Sequence, residues 1–172
     1  MASGSTVTFD RGVLGKEVAG EPFIVTKEQI LEYCRVIGET NPLYTDEQAG
    51  IAGPHGGIIA PPGFFWCFPS ARSPDPKLQF GNFIIGGGRS CEYLAPIRPG
   101  DVLTAYASVE DIYSKTGRSG TMVFVLSRYT YRNQHGNIAV IVRHSMVHRD
   151  MSEQRTSHES MGSEEEVPEG SE

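Results

Sequence analysis

Residues 53–68 read GPHGGIIAPPGFFWCF: the first half is rich in glycine, and the second half is almost wholly apolar and holds the single tryptophan. Pro61 and Pro62 lie at the junction, and proline is tolerated in the first turn of a helix, where its missing N–H would have no partner. A helix that is apolar on every side belongs in a protein interior. The segment therefore predicts an α+β fold in which a glycine loop leads into a short buried helix wrapped by a sheet.

The charge of the chain is concentrated at its C-terminal end. The 172 residues carry a formal charge of −6, but residues 150–172 alone hold eight acidic residues and one arginine, so residues 1–149 sum to about +1. A nearly neutral domain offers no basic surface for nucleic acid or membrane lipid. We predict one domain over residues 1–149, followed by an acidic, disordered tail over residues 150–172.

Three cysteines are present without a CxxC pair, which indicates free thiols in a reducing compartment. No signal peptide and no transmembrane run is visible, so a cytoplasmic location is expected. His144 and His148 share one face of a predicted strand, but a metal site needs further ligands, and none is near them in the sequence. No metal site and no cofactor of the chain's own is therefore expected.

One helix is predicted with both of its ends. Thr26 and Gln29 have the spacing of an N-cap and its N3 partner, the capping-box pattern. Apolar residues then recur at positions 30, 33, 34 and 37, which lie on one face of a helix. Gly38 follows at the position where a left-handed C-cap is favoured. These signals predict a helix that begins after Thr26 and ends at Gly38.

The pattern changes from helix to strand beyond residue 89. Segments rich in Val, Thr, Tyr and Phe are separated by short Gly- and Asn-containing turns. No helical segment separates them, which argues against a parallel, doubly wound sheet. Residues 69–82 contain three prolines and predict a long loop. The expected strands are antiparallel and cover residues 90–94, 102–114, 121–132 and 138–148.

Several segments, in order, resemble one enzyme family. The sequence GETNPLY at residues 38–44 is similar to the Gly-Asp-x-Asn-Pro-x-His signature of the MaoC-like (R)-specific hydratases and dehydratases. IAPPG at 59–63, EYLAPIRPGD at 92–101 and the hairpin at 117–124 resemble motifs of its FAS1-like dehydratase branch. The resemblance covers about residues 10–149. It implies a hot-dog fold, an antiparallel sheet wrapped around one helix and usually paired with a second hot dog.

The family reaction adds water to an enoyl thioester or removes it from a 3-hydroxyacyl thioester, in fatty-acid or sterol metabolism. It needs a base, an acid and hydrogen-bond donors for the thioester oxygen. The resemblance assigns the proton transfers to the Asp and His of the signature, and this chain has Glu39 and Tyr44 there. A displacement of about 1 Å can cost roughly a hundredfold in rate, and a tyrosine with an ordinary pKa of about 10 is a poor base at pH 7.

Other residues near these motifs are candidates for the missing roles. His55 is either a substitute base or a plain loop histidine, and the alternative role of Glu39 and Tyr44 is to hold the Asn41-Pro42 turn. Glycine amides near the helix start suit an oxyanion or merely a tight loop. The apolar residues suit an acyl pocket or a plain core, and arginine suits the phosphates of coenzyme A or carrier-protein pantetheine. The candidate catalytic residues are Glu39, Tyr44 and His55, and the candidate substrate-binding residues are Asn41, Gly56, Gly57, Gly63, Phe64 and Arg118.

The resemblance implies a function as one subunit of a hydratase or dehydratase. In this branch a degenerate hot dog commonly pairs with an intact partner that supplies Asp and His, so the chain is expected to bind the acyl thioester without catalysing the reaction. The alternatives are a homodimer that is a self-sufficient hydratase using Glu39 and His55, and a non-enzymatic acyl-thioester binder. A hot-dog thioesterase is disfavoured, because residues 64–68 contain no carboxylate.

Overall fold

The computed structural model describes residues 7–118 and 120–151. Within these residues a long antiparallel sheet follows three helices. The elements are, in chain order, a 3₁₀ turn (Arg11–Val13), β1 (Val18–Ala19), β2 (Phe23–Ile24), α1 (Lys27–Ile37), α2 (Pro42–Thr45), α3 (Glu47–Ala52), a 3₁₀ turn (Phe64–Cys67), β3 (Phe83–Tyr93), β4 (Val102–Gly117), β5 (Gly120–Arg132) and β6 (Ile138–Arg149).

The strand order in the sheet is β1-β4-β5-β6-β3, with β2 also paired to β4, and every pair is antiparallel. The prediction of consecutive antiparallel strands is confirmed. A bulge between Val109 and Asp111 interrupts the ladder of β4, and a bulge of this kind increases the local twist and bends its strand. β3 forms one edge of the sheet, and all of its residues are exposed in the isolated chain.

The main core lies between the sheet and the N-terminal helices. Ala105 and Ala107 of β4 and Val140 of β6 are buried together with Ile30 and Cys34 of α1. A second, smaller cluster lies at the other end of the strands. Its members are Phe80, Val109, Ile112, Val123 and Val125. The long loop after residue 68 therefore contributes Ala71 to the main core and Phe80 to the second cluster.

The predicted helix over residues 27–37 is confirmed at both ends. The Thr26 hydroxyl accepts the N–H of Gln29 at 3.2 Å, and the Gln29 side chain accepts the N–H of Thr26 at 2.8 Å. Gly38 has a φ of 71° and lies in the left-handed region, which glycine enters without a steric penalty. Local sequence was sufficient here because both caps are made by residues next to the helix.

The prediction of a buried helix over residues 61–68 is wrong in length and in burial. Only one 3₁₀ turn forms, from Phe64 to Cys67, preceded by Gly63 at a φ of 89° and followed by Phe68 in an extended conformation. Phe64 is 1% exposed and Phe65 2%, whereas Trp66 is 55% exposed. Phe68 is followed by Pro69, and a residue before proline is disfavoured in the helical region, so the turn cannot continue.

The first long strand begins earlier than predicted. β3 starts at Phe83, not at residue 90, because residues 83–89 pair with β6 across a register shift between Gly86 and Gly88. Three consecutive glycines hide this strand, since glycine weakens the strand pattern in a sequence. The other strand boundaries differ from the predicted ones by up to three residues.

No helix among the described residues is long and apolar enough to cross a membrane. Residues 152–172, which contain nearly all of the predicted acidic tail, lie outside the described part of the chain.

Phe64→Ala is expected to lower the free energy of unfolding by about 3–5 kcal/mol, because it removes a fully buried ring and leaves a cavity. The matched control is Phe83→Ala, at a residue that is 48% exposed, with an expected effect under about 0.5 kcal/mol. Chemical denaturation of the chain alone measures both values. Equal losses for the two variants would contradict this account of the core.

Candidate active site

A cavity of about 350 Å³ lies beside the Asn41-Pro42 turn. One wall is the segment 59–62, which leads into the 3₁₀ turn, and the facing wall is the segment 93–97, which follows β3. The N–H of Ala60 donates to the Ile97 carbonyl at 2.8 Å and joins the two walls. Tyr44 and His55 complete the lining. The cavity therefore brings together two of the three predicted catalytic positions.

Glu39 lies outside this lining and has a structural role in the turn. One of its carboxylate oxygens accepts the N–H groups of Thr40 and Asn41, both at 2.9 Å. Asn41 in turn caps α2, because its side-chain oxygen accepts the N–H of Leu43 at 3.0 Å. Both polar side chains at the start of the signature are thus engaged with backbone.

Tyr44 and His55 enter the cavity from different elements. Tyr44 belongs to α2 and packs partly against the main core. His55 lies in the loop after α3, and the Arg98 side chain donates a hydrogen bond to its backbone carbonyl. The backbone N–H of Arg98 donates to the Asp101 carboxylate at 2.8 Å, and this hydrogen bond fixes the backbone of Arg98. The PIRPGD-like turn therefore positions the His55 loop over a sequence distance of more than 40 residues.

The backbone N–H groups of Gly56, Gly57 and Gly63, which were predicted to bind an oxyanion, do not point together into the first cavity. The N–H of Gly63 donates to the Tyr93 hydroxyl at 2.8 Å, so it is already engaged within the chain. Burial raises the pKa of Tyr93, which keeps its phenol protonated at neutral pH. A β-carbon at position 63 would also lie 2.7 Å from the Tyr33 hydroxyl. Gly56 and Gly57 do not line the cavity.

Phe64 and Arg118 lie away from the cavity. The Phe64 ring is edge-on to Tyr33 at a centroid distance of 5.5 Å and belongs to the core. Arg118 lies in the turn between β4 and β5, and the strand register places this turn near Phe83, at the opposite end of β3 from Tyr93. Ten strand residues separate those ends, which is roughly 30 Å.

The segment from Tyr93 to Ile97 also lines the cavity and is not among the predicted site residues. Its signal in the sequence is the PIRPGD-like motif, which predicted only a turn. Leu94 and Pro96 of this segment line the cavity and are exposed in the isolated chain. Among the residues that the structure describes, no group of three His, Cys, Asp or Glu side chains is placed to hold a metal ion.

Comparison with known structures identifies the fold class first. A MaoC-like dehydratase from Rhodospirillum rubrum superposes with a TM-score of 0.58 at 22% identity, over 80% of this chain and 92% of that one. The ChsH1-ChsH2 complex from Mycobacterium tuberculosis gives a TM-score of 0.62 at 19% identity, over 77% and 84%. The chain has the hot-dog fold of the MaoC-like hydratases and dehydratases, as predicted.

The family follows from sequence. The model of the FAS1-like dehydratase domain region matches residues 12–142, so the chain belongs to that family. A UPF0336 protein from Streptomyces coelicolor is 32% identical over 117 residues, which cover 64% of this chain and 78% of the relative. The resemblance of the separate motifs is thereby confirmed at the level of the family.

Glu39→Ala is expected to lower the free energy of unfolding by about 0.5–2 kcal/mol, the usual cost of losing a side-chain cap on backbone N–H groups. Glu39→Gln keeps an acceptor oxygen and is the matched control, with most of the stability retained. Denaturant titration compares the two variants. A glutamine variant as unstable as the alanine variant would contradict a purely geometric role for the acceptor.

Stability is also expected to depend on pH through His144 and His148. Burial lowers the pKa of both, with a smaller contribution from Arg89 at His144. The unfolded chain then binds protons more readily, so stability is full above about pH 6.5, the ordinary histidine pKa, and is lost as the pH falls through the lowered values.

The measurement is the free energy of unfolding at pH 7.5 and at pH 5.5. The His144→Gln, His148→Gln double variant should reduce the difference between the two pH values. His135→Gln, at an exposed position in the β5–β6 turn, should leave it unchanged. The reverse pattern would show that another group controls the acid loss.

Proposed function

We propose that this chain is the substrate-binding, non-catalytic subunit of an (R)-specific enoyl-thioester hydratase or 3-hydroxyacyl-thioester dehydratase. The observation that carries the proposal is the geometry of Glu39, whose carboxylate is hydrogen-bonded to the turn and lies outside the cavity lining. The residue at the position of the family's aspartate is therefore committed to structure, and the neighbouring tyrosine is a poor base at neutral pH.

The hydrogen bond already made by the Gly63 N–H supports the same proposal. A hydratase must stabilise negative charge on the thioester oxygen with donors that are free to bind it. Here the Gly63 N–H is engaged by the Tyr93 hydroxyl at 2.8 Å. The engaged Glu39 carboxylate and Gly63 N–H both support a chain that binds the acyl group while its partner supplies the reacting groups.

An exposed sheet edge supports the proposed partner. Within the described part of the chain, β3 pairs with β6 alone and is exposed along its whole length. Exposed apolar side chains accompany it, those of Phe83, Ile84, Ile85, Tyr93 and Leu94. A long edge strand with apolar residues favours pairing with another chain. Tyr93 and Leu94 also line the cavity, so a second hot dog on this edge would lie next to it.

The partner is inferred by its chemistry. It would carry an intact Gly-Asp-x-Asn-Pro-x-His signature and supply both proton-transfer groups, while this chain holds the acyl part of the thioester. One structural neighbour, the ChsH1-ChsH2 complex, has two named components, which is in keeping with this arrangement. Coenzyme A or pantetheine enters as part of the substrate, and no separate cofactor is required.

A second candidate function has one observation in its favour. His55 and Tyr44 line the same cavity, so a homodimer in which His55 acts as the base is a self-sufficient hydratase. A non-enzymatic acyl-thioester binder would use the same cavity without either residue. In the heteromeric enzyme the partner carries the proton-transfer groups, and in the self-sufficient hydratase this chain carries them. The non-enzymatic binder needs none.

The test is crotonyl-CoA hydration, followed by the loss of the conjugated thioester absorbance. The chain alone should be inactive, and its complex with a hot-dog subunit that has the intact signature should be active. Replacing the partner's signature aspartate with asparagine should abolish activity, since general acid–base groups contribute about 10²–10⁴-fold. Glu39→Gln and His55→Ala in this chain should change the rate of the complex less than about threefold.

Activity of the chain alone that falls a hundredfold in His55→Ala would overturn the proposal in favour of the self-sufficient enzyme. Saturable binding of crotonyl-CoA by the chain, without hydration in any tested complex, would favour the non-enzymatic binder.

A further inference from the structure

A second cavity of about 180 Å³ lies between the 3₁₀ turn and the strands β3, β5 and β6. Trp66, Phe68 and Ser70 form its roof, and Arg89, Tyr131 and His144 belong to its floor. It shares no lining residue with the first cavity. The ring centroids of Phe65, in the second cavity, and Tyr93, in the first, are 6.2 Å apart. These two side chains therefore separate the two cavities.

Arg89 distinguishes this cavity. Its guanidinium carbon lies 4.0 Å from the ring centroid of Trp66, and within residues 7–118 and 120–151 its side chain makes no ion pair and no hydrogen bond. Arg132 is stacked in a similar way over Tyr106 at 4.3 Å, but Glu17 pairs with it at 2.8 Å. Arg89 therefore has its orientation fixed by an aromatic ring while its N–H donors remain available.

The neighbours of Arg89 add hydrogen-bonding capacity without adding charge. The strand register places Arg89 opposite His144, and His144 opposite Ser127. Burial and the charge of Arg89 lower the pKa of His144, which keeps the imidazole neutral at pH 7. Burial raises the pKa of Tyr131 to about 12, so its phenol stays protonated. Arg89 thus contributes the one positive charge of this lining.

A single guanidinium in an aromatic cavity selects an anion with an apolar body. A carboxylate fits best, because its two oxygens match two parallel N–H donors of arginine. Size limits the rest of the ligand: a cavity of about 150 Å³ is large enough for benzene. The body should therefore contain about six non-hydrogen atoms.

We propose that this second cavity binds a small organic carboxylate, with its carboxylate on Arg89 and its apolar body against Trp66, Phe68 and Tyr131. The inference does not rest on the proposed hydratase chemistry, because neither the Asn41-Pro42 turn nor the first cavity takes part. Arg89 does belong to β3, the edge at which the partner subunit is proposed to bind. Two sources have this chemistry: a free organic acid, and the far carboxylate of a dicarboxylic acid held as a thioester.

Trp66 makes the site directly observable, since it is the single tryptophan of the chain and carries the stacked guanidinium. The full chain is titrated with hexanoate while the tryptophan emission is followed, and isothermal calorimetry measures the same binding without relying on emission. Hexanoate should bind saturably. Hexanamide has the same shape without the charge and should bind at least tenfold more weakly, since a hydrogen bond to a charged group is lost.

Variants test the assigned residue. Arg89→Gln should weaken hexanoate binding at least tenfold, and Arg89→Lys should fall between Arg89→Gln and the unchanged chain, because lysine keeps the charge but loses the planar fork. The matched control is Arg132→Gln, which removes a stacked arginine outside the cavity and should leave binding unchanged. Far-ultraviolet circular dichroism establishes that each variant is folded.

Adipoyl-CoA separates the two sources. Binding tighter than that of hexanoate, and lost in Arg89→Gln, assigns the site to a thioester-borne carboxylate, whereas equal or weaker binding assigns it to a free acid. No saturable binding of either probe by emission or calorimetry overturns the proposal. So does equal binding of hexanoate and hexanamide, or a folded Arg89→Gln variant that binds like the unchanged chain.

Discussion

The burial of two adjacent phenylalanines against two different layers holds this structure together. Phe64 is directed at Tyr33 of α1, and Phe65 lies 5.7 Å from Tyr131 on the sheet, measured between ring centroids. A 3₁₀ turn has three residues per turn, so successive side chains are rotated by about 120°. One turn thereby joins the helical layer to the sheet, and the third direction, that of Trp66, is left at the surface above Arg89.

The same turn determines what the neighbouring cavities can do. Gly63 enters it at a φ of 89°, and its N–H meets the Tyr93 hydroxyl. The backbone N–H that follows Pro62 of the first cavity is consequently engaged within the chain. On the other side of Phe65 and Tyr93, the second cavity contains Arg89, which stacks on Trp66 and whose N–H donors make no hydrogen bond among the described residues. The Gly63 N–H beside the first cavity is thus engaged, whereas the N–H donors of Arg89 in the second cavity are available.

Sequence patterns anticipated elements whose signals are local. The helix from Lys27 to Ile37 is bounded by contacts between residues three or four positions apart, and the hairpin strands contain their own alternation. The MaoC-like motifs indicated the hot-dog fold and the FAS1-like branch correctly. β3 was only half recognised, because Gly86, Gly87 and Gly88 have no side chains to form a pattern, and the strand exists through its pairing with β6.

Residue patterns alone were enough to identify the family, the antiparallel sheet, the capped first helix and the absence of the family's Asp and His from their positions. Three contacts became known from the folded chain: Glu39 binds its own turn, Gly63 donates to a tyrosine 30 residues away, and Arg89 stacks on Trp66. The two groups differ in how far apart in sequence the interacting residues lie. Caps and strand alternation depend on neighbours within a few residues, whereas the partner of a donor or a charge is chosen by how distant strands and loops pack.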